Sequence, residues 1–395
     1  MSKAAAVDTR NSSALWVAEP FRIFFPIGLL LGAIGVVLWP LFVWHVIEFY
    51  PAPAHVRLMI EGLMGSFIIG FLGTAGPRLL DAAPLIAIET FVLLALQIAS
   101  AFLHLIQRQT AGDVVFLVLL LCFLGMMARR AQTRRDLPPP QFVLVFFGLL
   151  NAIVGIFLIT SAKSMAKGMF ANQLGNLMLN EGFVLFPILG VGAFFFPKLL
   201  GGTKPKPTDL QIAVALWLKR AVIAALTALV IWSSFVLEAL GWMRTAALIR
   251  GLTTLTYLVM QGHLLEKPSG PPFLAHCFRL GSFLLVTGLL LPVALPGYRL
   301  ANMHLTFIGG FSIILFTVST RVIIGHAGQS HLFRKRLRFL VVALTLLVIA
   351  MIARVAADFV PPARNSHLVY AALIWLGAAV VWACALGPKL SMSEE

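Results

Sequence analysis

Charge is scarce in this sequence. Only 11% of its 395 residues are Asp, Glu, Lys or Arg, where a soluble domain carries about 25%. That deficit leaves no room for a separate water-soluble domain. Acidic side chains are the rarer sign, 15 against 30 basic ones, for a formal net charge of +15. Such an excess can mark nucleic-acid binding. Here, however, the basic residues fall in short loops between apolar runs, where the positive-inside rule places them, and nucleic acid is set aside as a partner. Cysteine is nearly absent. Cys122, Cys277 and Cys384 lie in or beside apolar segments and form no CxxC pair, which excludes a zinc ribbon and a covalent haem attachment motif. No secretory leader is visible. The polar stretch 1–20 reads as a cytoplasmic tail, and the first apolar run reads as a retained span.

What fills the chain instead is apolar sequence. Hydrophobic residues make up 60%, and the mean hydropathy is +0.95. Twelve stretches are long enough to cross a bilayer, which takes about 20 residues of helix. Uninterrupted runs of this kind are not the alternating strands of a barrel. The expectation is an all-α, polytopic transmembrane helix bundle embedded in the lipid bilayer. Its spans fall near 21–44, 58–77, 84–106, 113–130, 141–162, 177–199, 212–235, 242–262, 273–295, 303–324, 337–357 and 368–388. Residues 21–390 form a single bundle, followed by a tail at 391–395. The widest breaks are Pro138–Pro140, the polar stretch Lys163–Asn176, and Gly201–Pro207, which marks a half-bundle boundary.

Lys and Arg set the orientation. Arg129, Arg130, Arg134 and Arg135, then Lys198, Lys204 and Lys206, then Arg334, Lys335, Arg336 and Arg338 all fall on one side of a twelve-span chain. Both termini are therefore expected in the cytoplasm. Segments 2, 6 and 12 end in related sequences, GTAGPRLL, FFFPKLLG and GPKL. The echo admits two readings, a shared interfacial stop with a snorkelling cation or an ancestral multi-helix repeat.

Nine histidines carry the chemistry. The topology sorts them into an outer layer (His45, His55, His104, His304, His367) and an inner layer (His263, His276, His326, His331). His304 and His326 flank one segment, roughly 33 Å apart along a helix, so they cannot share a metal. His55 and His304 begin segments 2 and 10 at the outer face and are free to face each other. His263 and His276 flank a short inner hairpin, and His326 arrives at the same level. Imidazole ligates haem iron and copper, so both layers are candidate metal sites. For His45, His104, His331 and His367 the expectation is an interfacial role, with hydrogen bonds to headgroups or water.

Charges inside apolar spans cost about 2.5–3.5 kcal/mol at a central position, so Glu61, Glu181, Arg250, Arg279 and Arg321 are expected to face a partner, cavity or pathway. Glu61 lies six residues after His55, nearly opposite on a regular helix. Met165 with Met169, and Met59 with Met64, are soft side chains that suit copper(I), though methionine in an apolar protein is mostly packing.

Segments 9 and 10 read PPFLAHCFRLGSFLLVTGLLL and ANMHLTFIGGFSIILFTVSTRVIIGHAGQ. They resemble the NnrS family of bacterial membrane proteins, most closely at the His304-Leu305-Thr306 start and at Thr320, Arg321, Gly325, His326 and Gly328. Segment 1, opening PFRIFF, and segment 2, HVRLMIEGLMGSFIIGFLGTAGP, extend the likeness over most of the chain. The resemblance implies a twelve-helix, multi-pass protein of the bacterial inner membrane that binds haem, of b type, and copper. It also implies a link to nitric oxide metabolism, denitrification and nitrosative stress. By the same resemblance His55, His276, His304 and His326 match family histidines, and Arg321 a family arginine. Arg321 and Arg57 are then candidates to meet haem propionates. The reaction stays open between conversion, sensing and tolerance of nitric oxide, with electrons from a quinol or a redox partner. Two departures stand out. Family members usually start segment 2 with His-x-His-Glu-Met, where this chain has His55-Val56-Arg57-Leu58-Met59, so a potential copper ligand is missing. Near the end of segment 6 the family's Gly-Gly-Arg is Gly192-Ala193-Phe194.

Two other readings fit a twelve-helix chain. A secondary transporter accounts for internal charges, but the titratable residues gather near the two faces rather than at the midplane. A divergent relative of the haem-copper oxidases accounts for histidines that start segments 2 and 10. Segments 6 and 7 contain no histidine, so the copper site of those enzymes cannot form.

Overall fold

The computed structural model describes residues 15–200, 210–269 and 273–393. Among them there are helices and turns and no strand, as an apolar interior demands when every backbone amide must be satisfied within its own segment. The helices are α1 (Phe21–Val43), α2 (Ala52–Leu79), α3 (Ala87–Leu105), α4 (Gln109–Gln132), α5 (Phe142–Ser161) and α6 (Gly168–Leu199). They continue with α7 (Leu210–Ala239), α8 (Met243–Met260), α9 (Phe273–Ala294), α10 (Pro296–His326), α11 (Arg338–Phe359) and α12 (Arg364–Leu386). Eleven are long and apolar enough to cross a membrane. The exception is α8, whose 18 residues include Arg244, Arg250 and four threonines. The tail at 1–14, the turn Gly201–Pro207 and residues 394–395 lie outside the described residues.

Consecutive helices pack side by side, and α12 returns against α1 to close the ring. Three helices are drawn inward. Within their most apolar windows 83% of α2, 72% of α10 and 67% of α6 is buried, against 39% of α3, α4, α7 and α11. The peripheral helices turn Phe91, Phe102, Phe146, Phe157, Leu218 and Trp232 outward. The inner helices recur at every fourth position, and each contains a π-helical turn near its start: Leu58–Met64, Met178–Gly182 and Leu305–Ser312. One extra residue in a helix rotates the turns before it by about 100° relative to the turns after it. The first turns of α2, α6 and α10 can therefore aim their polar residues inward while the remainder keeps its packing face. π-turns of this kind concentrate at functional sites.

The same device explains where hydropathy misplaces the boundaries. α2, α6 and α10 begin well before the expected 58, 177 and 303. The stretch Lys163–Asn176, expected as a break, is helical from Gly168, because Ala171, Leu174 and Leu177 recur on one buried face. In α5 and α6, Gly155 and Gly175 meet backbone to backbone. A Cβ on Gly155 would stand 2.8 Å from the Gly175 carbonyl oxygen and 3.0 Å from the Leu179 nitrogen. Neither backbone atom can give way, so Gly155→Ala should cost about 1–3 kcal/mol. The check is a lower midpoint of thermal unfolding in detergent, with Gly125→Ala, which meets nothing within 4 Å, as the unaffected control.

Candidate functional site

The first turns of α2 and α10 bring His55 and His304 to the same end of the bundle. The two rings lie within electrostatic range of each other, and Arg354 of α11 is within range of both. Each ring is held in the same way. Nδ1 of His55 donates to the Gly35 carbonyl oxygen at 2.9 Å, and Nδ1 of His304 donates to the Leu300 carbonyl oxygen at 2.7 Å. A carbonyl only accepts, so the proton of each neutral imidazole sits on Nδ1, and Nε2 keeps a lone pair. That is the tautomer and orientation a metal-binding histidine needs. Trp39 packs edge-on against His55, centroids 6.0 Å apart, and Tyr50 against Trp39 at 5.8 Å. Arg354 Nη1 pairs with Asp358 Oδ2 one turn on, at 3.2 Å.

A second group lies at the same end, buried where α2, α3, α4 and α6 meet. Arg57 Nε donates to Asp113 Oδ1 at 2.6 Å and Nη2 to Asp113 Oδ2 at 3.2 Å. The same guanidinium stands 3.4 Å from Glu61 Oε1 and donates to Asn180 Oδ1 at 3.4 Å. His104 Nε2 lies 3.0 Å from Glu61 Oε2. Far from an interfacial place, His104 is 1% exposed. It is seated against Gly112, where an added Cβ would stand 2.4 Å from the ring. Glu61, His104 and Asp113 each offer a ligand atom within 4.8 Å of the others.

The next residue of α6 opens a third group. Glu181 pairs with Arg250 of α8, which also binds Glu238 of α7 at 2.5 Å and donates to Ser234 Oγ at 3.1 Å. Arg299, half-exposed before His304, binds the other oxygen of Glu238 at 3.0 Å. A small cavity of about 30 Å³ lies among Glu181, Glu238, Arg250, Arg299 and Asn302. Asn180 and Glu181, adjacent in one π-turn, thus join the Arg57 and Arg250 groups.

At the opposite end, His326 does not meet His263 or His276. Its Nδ1 contacts Glu19 Oε1 at 2.9 Å, and Arg78 reaches both. Arg22 is 1% exposed; it binds Glu19 and donates to the Leu390, Met392 and His326 carbonyls, tying together the ends of α1, α10 and α12. His263 pairs with Glu266 in a left-handed turn. His276 is exposed, with no polar or ring contact to a described residue. Arg321 stacks over Phe333 at 4.4 Å, and Arg279 binds the Leu264 and Glu266 carbonyls. His45 and His331 are exposed, and His367 packs on Tyr370. Met169 is 85% exposed.

Burial pushes the Glu19 carboxyl upward, but the hydrogen bond and charge of His326 and the charge of Arg22 outweigh it and hold it at about 2. A folded-state value below the ordinary 4.5 means stability that is present above 4.5 and lost as pH falls toward 2. Thermal unfolding in detergent should therefore show a midpoint that drops over that interval. Glu19→Gln should start lower at neutral pH and lose most of the slope; an unchanged slope would contradict the assignment.

The sequence points to His55 and His304 but offers Arg57 as the nearby arginine. The structure gives Arg57 to two carboxylates and puts Arg354 beside both histidines instead. Arg354 and Asp358 are legible only as an i,i+4 charge pair inside an apolar span. Asp113 and His104 sit at the ends of adjoining helices, where sequence spacing gives no hint that they meet Glu61. No protein of curated function matches the chain. The family model described as "NnrS protein" matches residues 15–393, nearly the whole chain, and so this multi-helix membrane protein belongs to the NnrS family.

Proposed function

We propose that this protein binds haem b between His55 and His304 and acts in nitric oxide metabolism, in the nitrosative-stress response or denitrification. On this reading it is a multi-pass protein of a bacterial inner membrane, with α8 as its twelfth span and both termini in the cytoplasm. The single observation that carries the reading is the matched pair of imidazoles. They come from two inner helices at one end of the bundle, each with Nδ1 spent on a backbone carbonyl and Nε2 left to ligate.

The residues fit the group. His55 and His304 would hold it through Nε2, Arg354 would supply positive charge for a propionate, and Trp39 an apolar wall. A bound haem supplies one-electron chemistry, with electrons from a quinol or a redox partner, and affinity for diatomic ligands. The chain itself supplies orientation, through the two carbonyl contacts, and a separate apolar cavity. A cavity of about 70 Å³ lies deeper between α1, α2, α6, α9 and α10, lined by Phe25, Phe67, Phe71, Val184, Val191 and Phe278 among others. It suits a small apolar molecule such as nitric oxide.

Copper does not fit the Glu61, His104 and Asp113 trio. Its donors are two hard carboxylates and one imidazole, whereas copper favours nitrogen and sulfur, and the Arg57 guanidinium already lies on both carboxylates. The test is the absorption spectrum of detergent-purified protein, oxidised, dithionite-reduced and then exposed to nitric oxide without oxygen. A reduced b-type spectrum that nitric oxide shifts is expected. Protein that carries no haem under any expression condition would sink the reading.

A further inference from the structure

We propose that Glu61 and His104 together hold one exchangeable proton, a buried proton-binding site loaded from the His55 end of the bundle. Donors and acceptors around the ring require it. Gln109 Nε2 donates to the His104 carbonyl oxygen at 3.2 Å, which fixes the amide and turns Gln109 Oε1 toward the ring. His104 Nδ1 lies 2.8 Å from that oxygen and must donate to it. Nε2 lies 3.0 Å from Glu61 Oε2. A neutral imidazole has a single N–H, already used on Gln109. The second contact therefore needs one more proton, carried by the imidazolium or by the Glu61 carboxyl.

Charge balance gives the same count independently. Facing the pair are Arg57 on α2, Gln97 and Ser100 on α3, Gln109 and Asp113 on α4, and Asn180 on α6. Two carboxylates oppose one guanidinium, which leaves one negative charge buried in an apolar bundle. Such a charge is costly unless it is compensated. One proton neutralises the group, whereas a divalent cation beside Arg57 would leave it positive. The Arg250 group is already balanced, with two carboxylates against two guanidiniums. The way out is short: Gln109 is half-buried at the start of α4, next to exposed Arg108.

The site needs no haem, and its test uses none. Infrared difference spectra between pH steps, on detergent-purified protein with 13C-labelled glutamate, read the carboxyl directly. Wild type is expected to show one buried glutamate or imidazole titration that Glu61→Gln abolishes. His104→Gln should shift its midpoint by at least one pH unit, a tenfold change in proton affinity. Should Glu61→Gln fail to fold, Gln109→Leu, which removes the partner of Nδ1 and one bond to the His104 carbonyl but leaves Glu61 and His104 in place, should move the same midpoint. No Glu61 or His104 titration at any pH the protein survives would overturn the proposal. So would a titration displaced by sodium or a divalent cation rather than by pH.

Discussion

His304→Ala should purify as a folded protein that has lost its reduced haem absorbance. His55→Ala should do the same or retain a weakly held haem of altered spectrum. The expected effect is large because His55 and His304 are the two imidazoles at that end whose Nδ1 is fixed on a backbone carbonyl with Nε2 left free. His104 is committed to Gln109 and Glu61, and His45 is exposed in a left-handed turn. The companion variants decide the location. His276→Ala removes an exposed ring, and His326→Ala removes one engaged with Glu19 and Arg78, so both should keep the spectrum of the unaltered protein. Arg354→Leu should keep both imidazoles but weaken haem retention, since Arg354 is the arginine that lies in electrostatic range of both rings among the described residues. Absorbance that survives both outer variants and vanishes with His326→Ala would move the site to the other end and refute the assignment.

Hydropathy makes the helical class and most spans legible, because the bilayer enforces one rule along the whole chain. It fails where local packing overrides that rule. The first turns of α2, α6 and α10 are polar enough to resemble loops, yet they fold as helix because a π-turn redirects them into the core. Glu61 illustrates the cost of reading a regular helix where there is a π-turn. Placed nearly opposite His55, it shows no ligand role, and its true partners on α3, Ser100 and His104, stay invisible. His104 and Asp113 lie only nine residues apart, but across a helix hairpin. A hairpin brings the end of one helix beside the start of the next, and residue type alone does not say which ring and carboxylate will meet. The two-layer sorting of the histidines needs only topology, whereas the pairing within each layer needs helix rotation.

Arg250→Leu makes α8 more apolar, and for an isolated helix that favours insertion by about 2.5–3.5 kcal/mol. The folded protein should nevertheless be destabilised by about 3–5 kcal/mol, because breaking a buried ion pair strands the remaining charges. Arg250 forks between Glu181 and Glu238 and lies 4.6 Å over the Phe235 ring. Its loss leaves two buried carboxylates with Arg299 alone, and Arg299 touches only Glu238. Glu181 is then a bare charge one residue from Asn180 and the Arg57 group. That count also names the compensating change. Arg250→Leu with Glu181→Gln leaves one carboxylate and one guanidinium, Glu238 and Arg299, still paired. The double variant should recover most of the lost stability, although it lacks more native contacts than the single one. Unfolding midpoints and monodispersity of the three proteins in one detergent provide the measurement. A single variant as stable as the unaltered protein would mean that the carboxylates are not both charged, and a double variant no better than the single would mean that packing against Phe235, not charge, is what Arg250 contributes.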